Sequence, residues 1–364
     1  MRQIPNQFAD SIRVSQTHLG TIKKLHDGLV AHLDKDGNVI RTSIKSLQLQ
    51  GSDSTTLQIR SDGKRVNVSG NFGRFNRPDN VYNYDLDDTK IIVNNVLQEL
   101  GLPKFTDGEI WPSEYRAKNG EIIATKSTNG ATLSEVHYTQ NFFTGSHQNA
   151  KDYIYASGRI NINRQKVKAY ATGATFGEGS RFKASKIYDK GLDLQRLIKN
   201  GKLADSIYIQ QLTSYCIDNG VIRCETQFRD YLQREGLHFW SRATHENIQP
   251  HFQAEVNTMT KKTEIFDYEI LPAHLQRTYL LYEKGSNLRN GKIISNATFY
   301  RHRSELLKFG IDIKENTNVT PLVIKQKVIT LSEAIPPENY ILPSVTDETN
   351  SDGHNWQQNE LLEG

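Results

Sequence analysis

The sequence predicts an α+β protein: an antiparallel-rich sheet with flanking helices, followed by a small helical module. Residues 28–73 alternate apolar and polar side chains in short runs, and the turn sequences DKDG, GSDS and SDGK separate these runs. This pattern is typical of β-hairpins. Strand-like and helix-like segments then interleave as far as about residue 258, and from about residue 260 the pattern is helical. Interleaved strands and helices favour the α+β class.

The elements follow from hydrophobic periodicity and from turn residues. Apolar residues at helical spacing in residues 87–100, followed by Gly101 and Pro103, predict an amphipathic helix with a defined end. Further strands are predicted at 133–143, 166–172, 182–188 and 221–229, and helices at 150–157, 192–200 and 205–219. In the C-terminal part, helices are predicted at 273–282 and 296–309, with the break KGSNLRNGK between them.

Four segments are expected along the 364-residue chain. They are an N-terminal segment (1–20), a large α+β unit (21–258), a helical module (259–330) and a tail (331–364). The tail contains prolines, and residues 345–364 include five acidic residues but no Lys or Arg, so we expect it to be disordered. The chain has a net charge of +4, which leaves +9 on residues 1–344 and makes a polyanionic partner plausible.

Several classes of protein are disfavoured. No apolar stretch approaches the ~20 residues that span a bilayer, and residues 1–20 lack the apolar core of a secretory signal, so we expect a cytoplasmic protein without a membrane partner. Cys216 and Cys224 lack CxxC spacing and are interpreted as reduced core residues. Walker, GxGxxG and HExxH motifs are absent, and the Gly-rich GATFGEGS lacks a phosphate-binding Lys. ATP hydrolysis and dinucleotide chemistry are therefore poor candidates.

Three segments carry a family resemblance: SEVHYTQNFFTGS (134–146), GSRFKASKIYDK (179–190) and GVIRCETQFRDYLQ (220–233). Supporting matches are GNFGRFNRPDNV (70–81) and NATFYRHRSELLKFGIDI (296–313). In order and spacing they resemble the gene II replication initiators of filamentous phages and, more distantly, plasmid rolling-circle initiators. The resemblance covers residues 25–315, which is most of the chain.

The resemblance implies that Tyr188 is a nucleophile that attacks a DNA phosphate, leaving a 5′-phosphotyrosine and a free 3′-hydroxyl. Because a phenolate is a better leaving group than an alkoxide, such a linkage can be resealed without ATP. If the segment is extended, Lys186 and Lys190 share a face with Tyr188 and place two ammonium groups beside the phenol. The alternative is a tyrosine that only packs its ring.

Displacement at a phosphodiester also calls for a divalent cation, Mg²⁺ or Mn²⁺, and His137 and Glu225 are the candidate ligands. Strand alternation places each of them with its i±2 neighbours on one face. Some gene II proteins have Asp at the position of His137 and others have His, and an imidazole ligand favours Mn²⁺. The alternatives are a structural hydrogen bond for His137 and a salt bridge from Glu225 to Arg223 or Arg229.

Six basic residues are candidate DNA contacts on three parts of the chain. Arg74 and Arg77 alternate with aromatic residues, a pattern that can stack on bases and neutralise phosphates, although surface arginines at a Gly-rich strand end explain it equally well. A helix over 296–309 is suited to the major groove, or else it presents a solvated face. The remaining four candidates are Lys186, Arg223, Arg301 and Arg303.

Together these features predict a rolling-circle initiator that nicks DNA at a replication origin in a bacterial host cell, with host helicase and polymerase as further partners. A mobilisation relaxase uses the same chemistry, but it commonly presents a histidine cluster on one strand, and His245 and His251 are too far apart for one. A non-catalytic origin-binding protein is the other alternative, for which the helical module would suffice.

Overall fold

A computed structural model describes residues 4–117, 119–158, 167–260, 265–266, 271–283, 286–290, 292–309, 311–314, 326–327 and 329–345. The chain divides into two compact units, one formed by residues 1–260 and 331–364 and the other by residues 261–330. Antiparallel sheets and helices alternate in the first unit, so the α+β class is confirmed. No helix in the described ranges combines the length and apolarity needed to cross a membrane.

The strands of the described residues are β1 (Gln7–Thr17), β2 (Lys24–Leu25), β3 (Leu29–Leu33), β4 (Val39–Ile44), β5 (Leu47–Gln50), β6 (Thr56–Asp62), β7 (Arg65–Gly70), β8 (Ile110–Arg116), β9 (Ile122–Thr128), β10 (Thr132–Phe143), β11 (Val167–Tyr170), β12 (Gly173–Phe176), β13 (Lys183–Asp189), β14 (Val221–Phe228), β15 (Ile265–Phe266), β16 (Gln326–Lys327) and β17 (Ser332–Glu333). The helices are α1 (Leu86–Glu99), α2 (His147–Ser157), α3 (Lys190–Lys199), α4 (Ile207–Asp218), α5 (Asp230–Arg234), α6 (His245–Met259), α7 (Ala273–Glu283) and α8 (Asn296–Leu307).

The large sheet has the strand order β11-β12-β13-β14-β10-β1-β7-β6-β2, and every pairing in it is antiparallel. Strand β14 lies between β13 and β10, so the three segments that carry the family resemblance are adjacent. Strand β1 lies between β10 and β7. The N-terminal segment is therefore part of this sheet rather than a separate region that ends at residue 20.

Local signals explain where the helices beside these strands begin and end. Asp189 ends β13 and caps α3, because its carboxylate accepts a hydrogen bond from the backbone N–H of Leu192. After α4, Gly220 has a φ of +59°, and a Cβ there would lie 2.0 Å from the carbonyl oxygen of Ser146. Only glycine fits this tight turn, which directs the chain from α4 into β14.

Different elements cover the two faces of the sheet. On one face α6 packs against β10 and β13: the ring of Phe252 lies 5.3 Å from that of Tyr138, and Glu255 pairs with Lys183. On the other face an apolar cluster joins Phe8 and Val221 to residues of α3 and α4. This second face carries the candidate site residues, and its other end, toward His137 and Lys186, is more exposed.

Residues 331–345 belong to the first unit and pack against its N-terminal part. Strand β17 pairs with the end of β10, and Tyr340 joins the apolar cluster with an exposed fraction of 7%. The Tyr82 hydroxyl donates a 2.6 Å hydrogen bond to the carbonyl of Ile335, and the Tyr84 hydroxyl donates one of 2.9 Å to that of Pro343. The expectation of a disordered tail from residue 331 is thus wrong for these residues, and residues 346–364 lie outside those described.

The second unit has a small core of its own. Leu275 and Tyr279 of α7 pack with Phe299 and Leu306 of α8 and with Ile311. Helix α8 begins where the Ser295 hydroxyl accepts a hydrogen bond from the backbone N–H of Thr298. Both helices were predicted from their periodicity.

Candidate active site

Three neighbouring strands bring the predicted site residues onto one face of the sheet. Lys186 of β13 lies opposite Glu225 of β14, which lies opposite Thr139 of β10. In the next row Tyr188 lies opposite Arg223, which lies opposite Asn141. Side chains in such rows are about 5 Å apart, so the sheet registers place the nucleophile candidate and both metal-ligand candidates together. Strand alternation predicted which residues share a face within each strand, whereas the pairing of the three strands comes from the structure.

The Glu225 carboxylate is the centre of the charged contacts. Its Oε1 atom lies 2.9 Å from Nδ1 of His137 and 2.9 Å from Nζ of Lys186. Burial opposes the charged form of this carboxylate, but hydrogen bonds from His137 and Lys186 outweigh it and lower the pKa of Glu225. The salt bridge considered between Glu225 and Arg223 or Arg229 is not formed among these described side chains.

His137 lies between two carboxylates. Its Nε2 atom is 3.3 Å from Oε1 of Glu135, while Nδ1 faces Glu225. Although burial disfavours the imidazolium, the hydrogen bonds with Glu135 and Glu225 raise the pKa of His137 to about 9. Arg229 pairs with the other oxygen of Glu135 at 3.3 Å. His137 is therefore an imidazolium at neutral pH in the protein without a bound cation.

Tyr188 is partly exposed on the same face. Burial raises the pKa of its phenol well above 10, whereas the positive charge of Arg223 lowers it. Nζ of Lys186 lies 5.2 Å from the centre of the Tyr188 ring, so this ammonium group faces the ring as predicted. Lys186 is also 45% exposed and can reach a phosphate.

Lys190 does not occupy the position that an extended segment would give it. Strand β13 ends at Asp189, and Lys190 is the first residue of α3, so the two-residue alternation stops before it. Its side chain is 1% exposed, and Nζ donates hydrogen bonds to Asn80 (3.1 Å) and Asp193 (3.2 Å). The prediction that Lys190 flanks the phenol beside a phosphate is wrong.

Arg223 is also buried, which corrects its assignment as a DNA contact. Its exposed fraction is 0%, and its Nε donates a 2.9 Å hydrogen bond to Oδ1 of Asn141. Nη2 donates to the backbone carbonyls of Asn80 (2.7 Å) and Val81 (2.6 Å). A guanidinium group held in this way cannot reach a DNA backbone.

The Gly-rich segment around residues 70–84 supports the site from inside the protein. Arg77 is buried and donates hydrogen bonds to the carbonyl of Gly73 (2.7 Å) and to the hydroxyl of Tyr340 (3.0 Å). Arg77 is therefore not a DNA contact, because its donors bind this loop and the C-terminal segment. Arg74 is partly exposed and lies 3.5 Å from the carbonyl of Asp53, so a DNA contact from it stays a prediction.

Asp10 is a site residue that sequence reasoning missed. It lies at an irregularity in the pairing of β1 with β10, and its Oδ1 accepts hydrogen bonds from Asn71 (2.8 Å) and Asn80 (2.9 Å). Its charge acts on His137 and Tyr188. Nothing in the sequence marks Asp10, because only the long-range pairing of β1 brings it to the site.

The two basic candidates on α8 differ. Arg303 makes a bidentate pair with Asp312, at 2.6 and 2.7 Å, and this pair ties the helix to the segment that follows it. Arg301 is exposed. His302, between them, is buried, and its Nδ1 lies 2.7 Å from the hydroxyl of Thr278. Among Arg301, His302 and Arg303, only Arg301 has an environment suited to a phosphate contact.

The donor set at Glu225 suits a divalent cation that is completed by phosphate oxygens. No cluster of three or more His, Cys, Asp or Glu able to hold a metal is found within the described ranges. However, Mg²⁺ and similar ions are often held by one or two protein ligands together with substrate phosphates. Glu225 and His137 supply a carboxylate and an imidazole, and the buried hydroxyl of Thr139, opposite Glu225, lacks a hydrogen-bond partner among the described residues. These residues fit such a cation, which would displace the Lys186 ammonium and the proton of His137.

Comparisons with known proteins show which family the chain is similar to. Residues 8–246 match the family model for the N-terminal part of the phage gene II replication-associated protein, and residues 271–346 match the model for its C-terminal part. The chain is 26% identical to the replication-associated protein of Escherichia phage If1, over 78% of this chain and 96% of the relative. It is 24% identical to the protein of the same name from Enterobacteria phage I2-2, over 86% of this chain and 91% of that relative.

Proposed function

The chain belongs to the gene II family of phage replication-associated proteins, and from this premise we propose that it initiates rolling-circle replication by nicking one DNA strand. The observation that carries the proposal is the position of Tyr188, which lies partly exposed beside Lys186, Glu225 and Arg223 on one sheet face. A lone packed tyrosine would not need this set of charged neighbours.

In the proposed reaction the Tyr188 oxygen attacks a DNA phosphorus atom. A bond forms between this oxygen and phosphorus, and the bond from phosphorus to the 3′-oxygen breaks. The phenolic proton passes to solvent, and the 3′-oxygen takes a proton from solvent, so no oxidant or nucleotide cofactor is consumed. The products are a 5′-phosphotyrosine and a 3′-hydroxyl, and the reverse step rejoins the strand.

Residues around Tyr188 bind and orient the scissile phosphate. Lys186 is an exposed cation of the site, so its ammonium group faces a non-bridging oxygen. Glu225 and His137 would hold an Mg²⁺ or Mn²⁺ ion, which supplies Lewis-acid polarisation of the phosphate. Glu135 pairs with Arg229 and lies within hydrogen-bond distance of Nε2 of His137, so it orients the imidazole ring.

The substrate we propose is a replication origin in single-stranded or unwound form, in the cytoplasm of a bacterial host. The 3′-hydroxyl left by nicking is a primer, so host polymerase and helicase are the expected partners. In the second unit Arg301 is the candidate contact to duplex DNA.

The proposal is tested with supercoiled DNA that carries the origin of the phage or plasmid encoding this protein. The wild type is expected to convert it to open circles with Mg²⁺ or Mn²⁺, but not with chelator, and to leave a protein-DNA adduct that survives denaturation. Tyr188→Phe should abolish both products while DNA binding remains, because only the hydroxyl is lost. Glu225→Gln and His137→Ala should reduce nicking and raise the metal concentration needed.

Tyr170→Phe is the matched control, because Tyr170 is an exposed tyrosine on β11 of the same sheet. It should nick at the wild-type rate. An adduct formed by Tyr188→Phe would assign the nucleophile to another residue. Binding of origin DNA by the wild type without nicking under any metal condition would identify the chain as a non-catalytic origin-binding protein.

A further inference from the structure

We propose that Arg223 is a positioning residue for the reaction, whose buried guanidinium stabilises the negative charge on the Tyr188 oxygen. This inference rests on the proposed function of Tyr188 as the nucleophile. It gives the Arg of the Arg-Cys-Glu sequence on β14 a role distinct from DNA binding and from metal binding.

The sheet register fixes Arg223 beside Tyr188. The two residues are directly paired across β13 and β14, on the face that carries the site. Nε and Nη2 of Arg223 are anchored by Asn141 and by the carbonyls of Asn80 and Val81. Nη1 is buried and has no hydrogen-bond partner in the described part of the protein. A buried guanidinium nitrogen without an acceptor is costly, so it is expected to serve a partner that appears during the reaction.

Both burial and neighbouring charges affect how readily the Tyr188 oxygen takes up a negative charge, and burial opposes that charge most. Carboxylates from β14, α3 and β1 oppose a negative charge on the phenol. They are those of Glu225, Asp193 and Asp10. Lys186 faces the ring but is half exposed and engaged with Glu225, whereas Arg223 cannot move away. Of these two cations, Arg223 is therefore the one that is paired with Tyr188 across the sheet and also held in a fixed position.

A fixed positive charge acts in both directions of the reaction. In nicking, the phenol loses its proton to solvent as its oxygen bonds to phosphorus, so negative charge develops on that oxygen. In rejoining, the 3′-hydroxyl attacks, the bond from phosphorus to the Tyr188 oxygen breaks, and the phenolate is the leaving group. Stabilising the phenolate accelerates both steps, whereas a DNA contact would change affinity.

The test measures single-turnover adduct formation and rejoining at saturating oligonucleotide, together with the DNA dissociation constant. Arg223→Met is expected to slow both steps by about 100-fold, the typical loss for one preorganised donor, with the dissociation constant changed less than about threefold. Arg223→Lys keeps the charge and should recover about tenfold of this loss. Arg223→Gln is the second neutral variant if Arg223→Met does not fold.

Arg77→Met is the matched control, since Arg77 is a buried arginine that binds the same 70–84 segment without facing Tyr188. It should lower the unfolding free energy but leave adduct formation within about threefold of wild type. The inference is overturned if Arg223→Met reacts at the wild-type rate, if Arg223→Lys is as slow as the neutral variants, or if Arg77→Met loses as much. A wild type that forms no adduct at all overturns the proposed function itself, and this inference with it.

Discussion

Tyr340→Phe tests whether the C-terminal segment is part of the first unit. The Tyr340 hydroxyl accepts hydrogen bonds from Nη2 of Arg77 (3.0 Å) and from the backbone N–H of Tyr82 (3.2 Å). It donates to Oδ1 of Asp79 at 2.7 Å. Phenylalanine keeps the ring, which lies edge-on to Tyr82 at 5.2 Å, and removes only the hydroxyl. The change therefore isolates a polar network that links residues 79–82 to the chain end.

The size of the effect follows from these partners. Two of the three hydrogen bonds involve a charged group, and all three are buried. With about 1 kcal/mol for each of the three hydrogen bonds lost, the first unit should lose about 3 kcal/mol of unfolding free energy. Arg77 keeps its bonds to Gly73 and to Tyr82, so the loss should not be much larger.

Tryptophan fluorescence during urea unfolding is a suitable assay, because residues 261–330 contain no tryptophan and do not contribute to the signal. Trp111 and Trp240 lie in the first unit. Tyr115→Phe is the control, since Tyr115 is 52% exposed on β8 and its loss should change the free energy by less than about 0.5 kcal/mol. A loss below about 1 kcal/mol for Tyr340→Phe would refute the view that this network holds the segment in place.

Three further predictions concern the site, the chain division and α8. The pKa of His137 is raised from 6.5 to about 9, so the folded protein binds this proton more tightly than the unfolded chain does. The contribution of the protonated His137 to the unfolding free energy should therefore be complete below pH 6.5 and lost as the pH rises to 9. Urea unfolding in metal-free buffer should show this loss, of about 3 kcal/mol, and His137→Gln should abolish it. Deleting residues 261–364 should leave a first unit that is less stable than one in which only residues 261–330 are replaced by a flexible linker, because residues 331–345 pack on that unit. Equal thermal midpoints for the two proteins would contradict this. Arg301→Ala should weaken duplex binding and reduce the slope of log affinity against log salt by about one, without changing stability. Arg303→Ala should instead lower the unfolding free energy of the second unit by about 1 kcal/mol, because it breaks the pair with Asp312. Binding assays and calorimetry that gave the opposite pattern would show that Arg303 contacts DNA and that Arg301 stabilises the unit.

Local periodicity determined much of the secondary structure. The predicted strands 133–143, 182–188 and 221–229 correspond to β10, β13 and β14, and the predicted helices 87–100, 273–282 and 296–309 correspond to α1, α7 and α8. These assignments succeed because alternation and helical spacing are properties of a few consecutive residues. Helix α6 and strand β1 were not predicted, although both pack on the central strands.

The sequence by itself also predicted which residues share a face with His137, with Glu225 and with Tyr188 along their own strands, because a strand alternates regardless of its partners. That these strands are neighbours came from the structure. Only the tertiary structure decided which basic residues are buried. Arg77, Lys190 and Arg223 are basic residues of the kind that contact DNA, yet each is buried and binds at least one acceptor from a segment distant in sequence. The packing of residues 331–345 and the position of Asp10 in the site also depend on long-range strand pairing. Burial of a charge is set by what packs over it, and that information is spread over the whole chain rather than held in any one segment.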